Sequence, residues 1–209
     1  MTESARTARL AAAWLLWYPD DRLAERLDDI RDALATLPPR TRDPLTAMVA
    51  WLDEVGLEEA RRHYVDTFDM RRRTALYLTF WTDGDTRNRG YAILRFKQAY
   101  LASGFELGDE ELPDHLAVVL EFAAVGNALT GDALLVESRV AIGLMREALT
   151  KAKSPYALVI DAVLATLPPM TADIAKRMAD LARSGPPKES VGLDPFPIAS
   201  DLESQGARR

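Results

Sequence analysis

Residues 82–90, T-D-G-D-T-R-N-R-G, gather the side chains best suited to holding an ion: Asp83, Asp85, Arg87 and Arg89, spaced by Gly84 and Gly90. A calcium loop requires alternating oxygen ligands, a glycine at the sixth position and a glutamate at the twelfth. Counted from Asp83, those positions hold Asn88 and Leu94, so the spacing fails. A phosphate-binding loop requires a glycine-rich turn ending in G-K-[ST] after a strand. Neither glycine is followed by lysine, and no strand pattern precedes them. Two readings stay open for this loop. Arg87 and Arg89 could hold an anion, such as a nucleotide phosphate, at a helix N-terminus, as a nucleotide-dependent switch or enzyme would. Alternatively Asp85 or Thr86 caps the following helix while the arginines pair with nearby carboxylates.

The rest of the chain offers little catalytic chemistry. His63 and His115 are its only histidines, and neither has a second histidine or a carboxylate at metal-ligand spacing. There is no G-x-S-x-G elbow to carry a hydrolase triad. With no cysteine, thiolate catalysis, disulfides and thiolate-held zinc or iron–sulfur centres are excluded. No enzyme class stands out.

A second cluster is more informative. E-L-G-D-E-E-L-P-D-H-L-A-V-V-L-E, residues 106–121, holds six acids and no lysine or arginine, and runs into an apolar segment. Pro113 in a first helical turn, with Asp114 and earlier acids favourable to the helix dipole, accounts for that order structurally. The functional reading is a recognition site. An acidic rim, including Glu121, beside apolar and aromatic side chains suits an amphipathic peptide bearing Arg or Lys. The apolar wall is expected from Leu76, Tyr77, Phe80 and Trp81.

The elements that would position these residues are helical. Periodicity predicts helices over residues 2–17, 20–37, 44–55, 57–69, 85–103, 113–127, 132–152, 155–167 and 171–182, with no period-2 strand. The result is an all-α protein, a single globular domain of about eight helices. Asp20 reads as an N-cap, and Gly56 as a left-handed helix stop. Segment 85–103 carries apolar residues on nearly every side and is expected to be the buried central helix. Residues 1–183 form the helical domain; residues 184–209, with G-P-P and D-P-F-P, read as a flexible tail.

Composition agrees: 209 residues, 48% hydrophobic and 28% charged, with a formal net charge of -6. Acidity argues against nucleic acid as a partner. The apolar stretch 10–18 is about half of the ~20 residues a membrane helix needs. The reading is a cytoplasmic protein without direct membrane insertion.

Several of these pieces together resemble the NarJ family, the assembly chaperones of respiratory nitrate reductase, related to the wider TorD/DmsD group. They are L-L-W-Y-P-D (15–20), Y-V-D-T-F-D (64–69), L-Y-L-T-F (76–80), G-D-T-R-N-R-G (84–90), F-K-Q-A-Y (96–100), E-L-P-D-H-L (111–116) and L-E-F (120–122). The resemblance runs in order from about residue 10 to 167. It implies a TorD-like helical fold without catalytic turnover and without a stably bound cofactor. Such proteins bind the N-terminal segment of the apo α subunit of nitrate reductase and keep it competent for molybdenum cofactor insertion and assembly. It also implies a leader-peptide role for Pro113, Asp114 and His115. A helical subunit that stays in a complex is the blander alternative, and monomer and dimer both stay open.

Overall fold

The computed structural model describes residues 2–70, 74–108, 111–185 and 187, and among them the protein is all-α. Ten α-helices follow one another: α1 Glu3–Leu16, α2 Asp21–Ala35, α3 Pro39–Tyr64, α4 Leu78–Asp83, α5 Arg87–Ala102, α6 Leu116–Val125, α7 Ala128–Glu137, α8 Arg139–Lys151, α9 Tyr156–Ala165 and α10 Ala172–Ser184. A π-helical turn, Val65–Asp69, extends α3.

Local chemistry sets most of the boundaries. Thr2, Asp20, Asn127 and Thr171 cap α1, α2, α7 and α10 by accepting from backbone N–H groups three residues on. Gly56 adopts φ 72°, ψ 164°, a conformation open to glycine, and interrupts α3 with a kink. The two helices expected on either side of Gly56 are thus present as the two halves of α3, separated at that glycine. Conversely, the single helix expected over 132–152 begins earlier, behind the Asn127 cap, and divides at Ser138 into α7 and α8. Within the apolar run 76–81 the short helix α4 begins, at Leu78. Of the expected tail, Ser184 ends α10, and the residues from 188 onward lie outside those described.

The central helix is α6, not α5. Leu116, Ala117, Val118, Val119, Leu120, Phe122, Ala123 and Ala124 are all buried, which leaves nearly the whole circumference of α6 in protein. By contrast α5 buries only Phe96 and Tyr100, and Tyr91, Leu94 and Leu101 are 71%, 51% and 51% exposed. The expectation that 85–103 forms the centre is thus overturned. Apolar residues on every side of α5 serve two faces, of which only one packs inward.

Small residues allow the close approach that α6 needs. On one side lies the alanine stripe of α1 (Ala8, Ala11, Ala12), fully inside the core. On the other, a Cβ placed on Gly131 of α7 would fall 2.4 Å from the Ala123 Cα and 2.6 Å from its Cβ. Arg9, 1% exposed, ties the layers together: it pairs with Asp132 at 2.6 Å and donates through Nε to Thr166 Oγ1 at 3.1 Å.

Gly131→Ala gains about 1 kcal/mol of helix propensity. It meets a backbone atom that no rotamer change can clear, and overpacking of this kind costs about 1–3 kcal/mol. Denaturant titration is expected to show a net loss; a stabilised variant would mean that α6 and α7 can separate freely.

Candidate functional site

Chain segments far apart in sequence meet where α4 and α6 begin. Leu78 N–H donates to the Asp114 carbonyl at 3.0 Å, and Leu116 N–H to the Leu76 carbonyl at 2.9 Å, a two-residue antiparallel bridge between Tyr77 and His115. The Asp114 carboxylate completes the clasp. Its Oδ2 accepts from Thr79 N–H at 3.1 Å and from Thr79 Oγ1–H at 2.6 Å. Asp114 is 0% exposed and acts as a cap, supplied from outside the helix, for the N-terminus of α4. It does not serve its own helix. Pro113 and Asp114 form a turn before α6, with the buried Pro113 carbonyl accepting from Tyr100 O–H at 2.6 Å.

His115 is 3% exposed. Its ring stacks on Trp17 at 5.0 Å and meets the edge of Tyr77 at 5.4 Å. Burial lowers its pKa, outweighing the opposite pull of Glu111 and Asp114, so the ring is neutral at physiological pH. Asp114 Oδ1 and His115 Nδ1 have no hydrogen-bond partner. Tyr77 O–H donates to Glu111 Oε1 at 3.0 Å. Burial and the neighbouring Glu111 push the Tyr77 phenol up to about 12.

The expected binding residues therefore divide. Leu76 and Trp81 belong to the core, at 2% and 7% exposure, and Pro113, Asp114 and His115 are buried too. Tyr77 and Phe80 are half-buried, and Glu121 is exposed. Asp114 and His115 do not stand on an acidic rim; they hold the wall behind one.

The rim itself borders a cleft of about 350 Å³. Glu106, Glu111 and Glu121 supply carboxylates, and Trp17, Tyr100, Phe105, Leu107, Val118, Phe122 and Val125 supply the apolar lining. Phe122 is braced by Tyr100 at 4.5 Å and by Phe105 edge-on at 5.6 Å. Of the acidic stretch expected as a rim, Glu106, Glu111 and Glu121 line this cleft, whereas Leu76, Tyr77, Phe80, Trp81, Pro113, Asp114 and His115 do not. The apolar lining escaped notice because it comes from three separated segments. One signal was present: Val118, Glu121, Phe122 and Val125 follow the i, i+3, i+4, i+7 spacing of a single helix face, interrupted by one acid.

The arginine loop has its own partners. Arg89 pairs with Asp85 at 3.6 Å, donates through Nε to Thr79 Oγ1 at 3.3 Å, and lies 5.7 Å from the Tyr77 ring centre and 6.0 Å from that of Phe80. It thereby buttresses the clasp. Thr86 occupies the cap position of α5 but donates its hydroxyl to the Asp83 carbonyl and accepts no N–H. His63 bonds to Ser154 at 2.9 Å within an aromatic cluster that includes Trp51 and Tyr156. Among the described residues, no group of three or more His, Asp or Glu could hold a metal ion. No helix among them is long and apolar enough to cross a membrane.

This helical arrangement is shared with a redox enzyme maturation protein from Archaeoglobus fulgidus, with a TM-score of 0.59 at 21% identity over 77% of this chain and 91% of that one. The likeness defines the fold as that of a maturation-protein structure. Residues 34–160 match the family described as nitrate reductase delta subunit, and the chain belongs to that family. It is 43% identical over 155 residues to the nitrate reductase-like protein NarX of Mycobacterium tuberculosis, which covers 74% of this chain but only 23% of NarX. It is 30% identical to the Escherichia coli nitrate reductase molybdenum cofactor assembly chaperone NarJ, across 83% of this chain and 76% of that protein. The NarJ of Bacillus subtilis is 31% identical, over 75% and 86% respectively.

Two outcomes follow from the clasp. Asp114→Ala removes two charge-assisted hydrogen bonds from a buried site and is expected to cost about 2–3 kcal/mol in urea unfolding. An unchanged midpoint would mean that α4 does not need its cap. For His115, the folded-state pKa lies below the unfolded value of about 6.5, so the unfolded chain binds the extra proton. Its stabilising contribution is complete above that unfolded value and is lost as pH falls below it. The urea midpoint should drop between about pH 7 and about pH 5.5, with a shallower slope in His115→Gln. Equal slopes would remove His115 as the source.

Proposed function

We propose that this protein is a dedicated assembly chaperone of nitrate reductase, not an enzyme. In this reading it acts in the cytoplasm on the apo α subunit, before molybdenum cofactor insertion, and binds that subunit's N-terminal segment. It holds no cofactor stably itself. The observation that carries the binding step is the cleft: an aromatic and aliphatic floor bordered by Glu106, Glu111 and Glu121. Such a site takes the apolar face of an amphipathic helix while the basic side chains of the peptide meet the carboxylates. The names of the NarJ relatives support the choice of client.

In this mechanism the groups divide their work. Val125 and Phe105, 49% and 41% exposed, provide the open apolar surface over a floor of buried Val118 and Phe122, and desolvation of that surface contributes to the affinity. The three glutamates govern encounter and selectivity, an effect that weakens with salt. Asp114, His115 and Tyr77 act indirectly, by fixing Trp17 and Glu111 at the edge of the cleft.

Calorimetry with a synthetic peptide of the α-subunit N-terminus tests this. Val125→Glu changes a half-exposed groove residue and should weaken binding at least about tenfold, roughly 1.4 kcal/mol, while leaving the melting temperature unchanged. Capture of the apo α subunit should likewise fail when its first residues are removed. Equal affinity in Val125→Glu, or full capture of the truncated subunit, would move the client site elsewhere.

A further inference from the structure

Among the described residues two arginines are buried, and only one of them is compensated. Arg9 has the carboxylate of Asp132 at 2.6 Å and donates to the hydroxyl and carbonyl of Thr166. Arg139, 8% exposed, has no such partners. Its Nε and Nη1 are sealed from solvent without a hydrogen-bond partner. Among the described residues it is in no ion pair. Burial pushes its pKa down, and no carboxylate opposes that shift. The acids of the adjoining helices are engaged elsewhere: in α7, Asp132 with Arg9 and Glu137 with Arg95, and in α9, Asp161 with Arg146.

A guanidinium does not escape this situation by losing its proton. A charge left unpaired in a protein interior is strongly destabilising, so its retention calls for a counter-charge. The place of Arg139 in the fold says where that counter-charge belongs. It is the first residue of α8, a helix of 13 residues, and side chains lean toward the N-terminus of their own helix. The guanidinium is therefore carried toward the end at which backbone N–H groups and the helix dipole favour an anion. Ser138, the buried cap residue of α8, makes no side-chain capping bond there.

We propose that Arg139 anchors a binding site, at the start of α8, for a small planar oxyanion with one negative charge, of the nitrate or carboxylate type. One edge of a guanidinium offers two parallel N–H donors, which match two oxygens of a planar anion. A spherical halide has no such pair of acceptors. The charges also match one to one, whereas a phosphate dianion would give up far more hydration to meet a single cation. With Nε and Nη1 sealed, access suits a free ion better than a side chain carried by a partner protein. The bound anion completes the junction between α7 and α8, and because it binds only the folded chain it stabilises that chain. Arg139 does not line the cleft assigned above to the client, so this site stands apart from that reading.

Urea unfolding of the full chain at constant ionic strength is the test, with sodium chloride replaced stepwise by sodium formate, sodium nitrate or sodium phosphate. Comparison with Arg139→Met, which keeps the bulk and removes the charge, cancels general salt effects. In formate and in nitrate the folded-to-unfolded ratio of the wild type should rise, relative to the variant, to a plateau at least about tenfold higher. Phosphate should produce no such rise. In chloride alone Arg139→Met should be at least as stable as the wild type, because an unpaired charge has been removed. Arg139→Lys keeps the charge without the two-donor edge and should lose the preference for planar anions over chloride. A direct reading comes from nitrogen NMR, in which the Arg139 Nε signal should move saturably as formate or nitrate is added. A response to one of these two anions alone supports the site and identifies its ligand. Parallel behaviour of wild type and Arg139→Met in every salt, or a marked loss of stability of Arg139→Met in chloride, would overturn the proposal. If Arg139→Met does not fold, the wild-type Nε signal decides, and its failure to move overturns the site.

Discussion

Asp114 has no exposed surface, and a carboxylate taken out of water must be compensated locally. The compensation comes from Thr79, whose N–H and hydroxyl both donate to one carboxylate oxygen. That requirement fixes the position of α4 against the start of α6, across 35 residues of sequence. The backbone bridge between Tyr77 and His115 runs in the same place, so two strong constraints coincide. With α4 fixed, Arg89 has a ledge of Tyr77 and Phe80 to lie on, and α5 leaves from a defined point.

The cleft inherits its shape from this arrangement. Tyr100 anchors the far end of α5 by donating to the Pro113 carbonyl, one residue from Asp114. His115 stacks against Trp17 and sets the near edge, and Glu111 is steadied by Tyr77. Under the proposed function, a change at Asp114 or His115 would reach a ligand in the cleft only through this wall. In the proposed reading the P-D-H element acts by positioning, and the groups left to touch a partner are Glu121 and Val125 of α6 and the turn that follows α5.

The two faces of α5 show a general difficulty of reading function from apolarity. A helix apolar on all sides suggests complete burial, yet here one face packs through Phe96 and Tyr100 and the opposite one meets solvent. The pattern is the same whether the second face is covered by the chain itself or by another molecule. In α6 the same pattern does mean burial, because α1 and α7 present alanine and glycine and can approach from both sides.

The sequence by itself determined the helical class, several caps (Asp20 above all), the break at Gly56, the absence of thiol chemistry and the family signature. These depend on neighbours a few residues apart: a side chain reaching the nearest N–H, a glycine's access to positive φ, a repeat of apolar positions. It also marked Asp114, His115 and Glu121 as unusual. Only the tertiary structure decided what each of them does. Asp114 caps a helix 35 residues upstream, His115 stacks on a tryptophan from α1's end, and Glu121 faces open cleft. Those outcomes depend on which surfaces meet, and for a cleft built from the end of α1, the end of α5 and one face of α6, no local spacing carries that information.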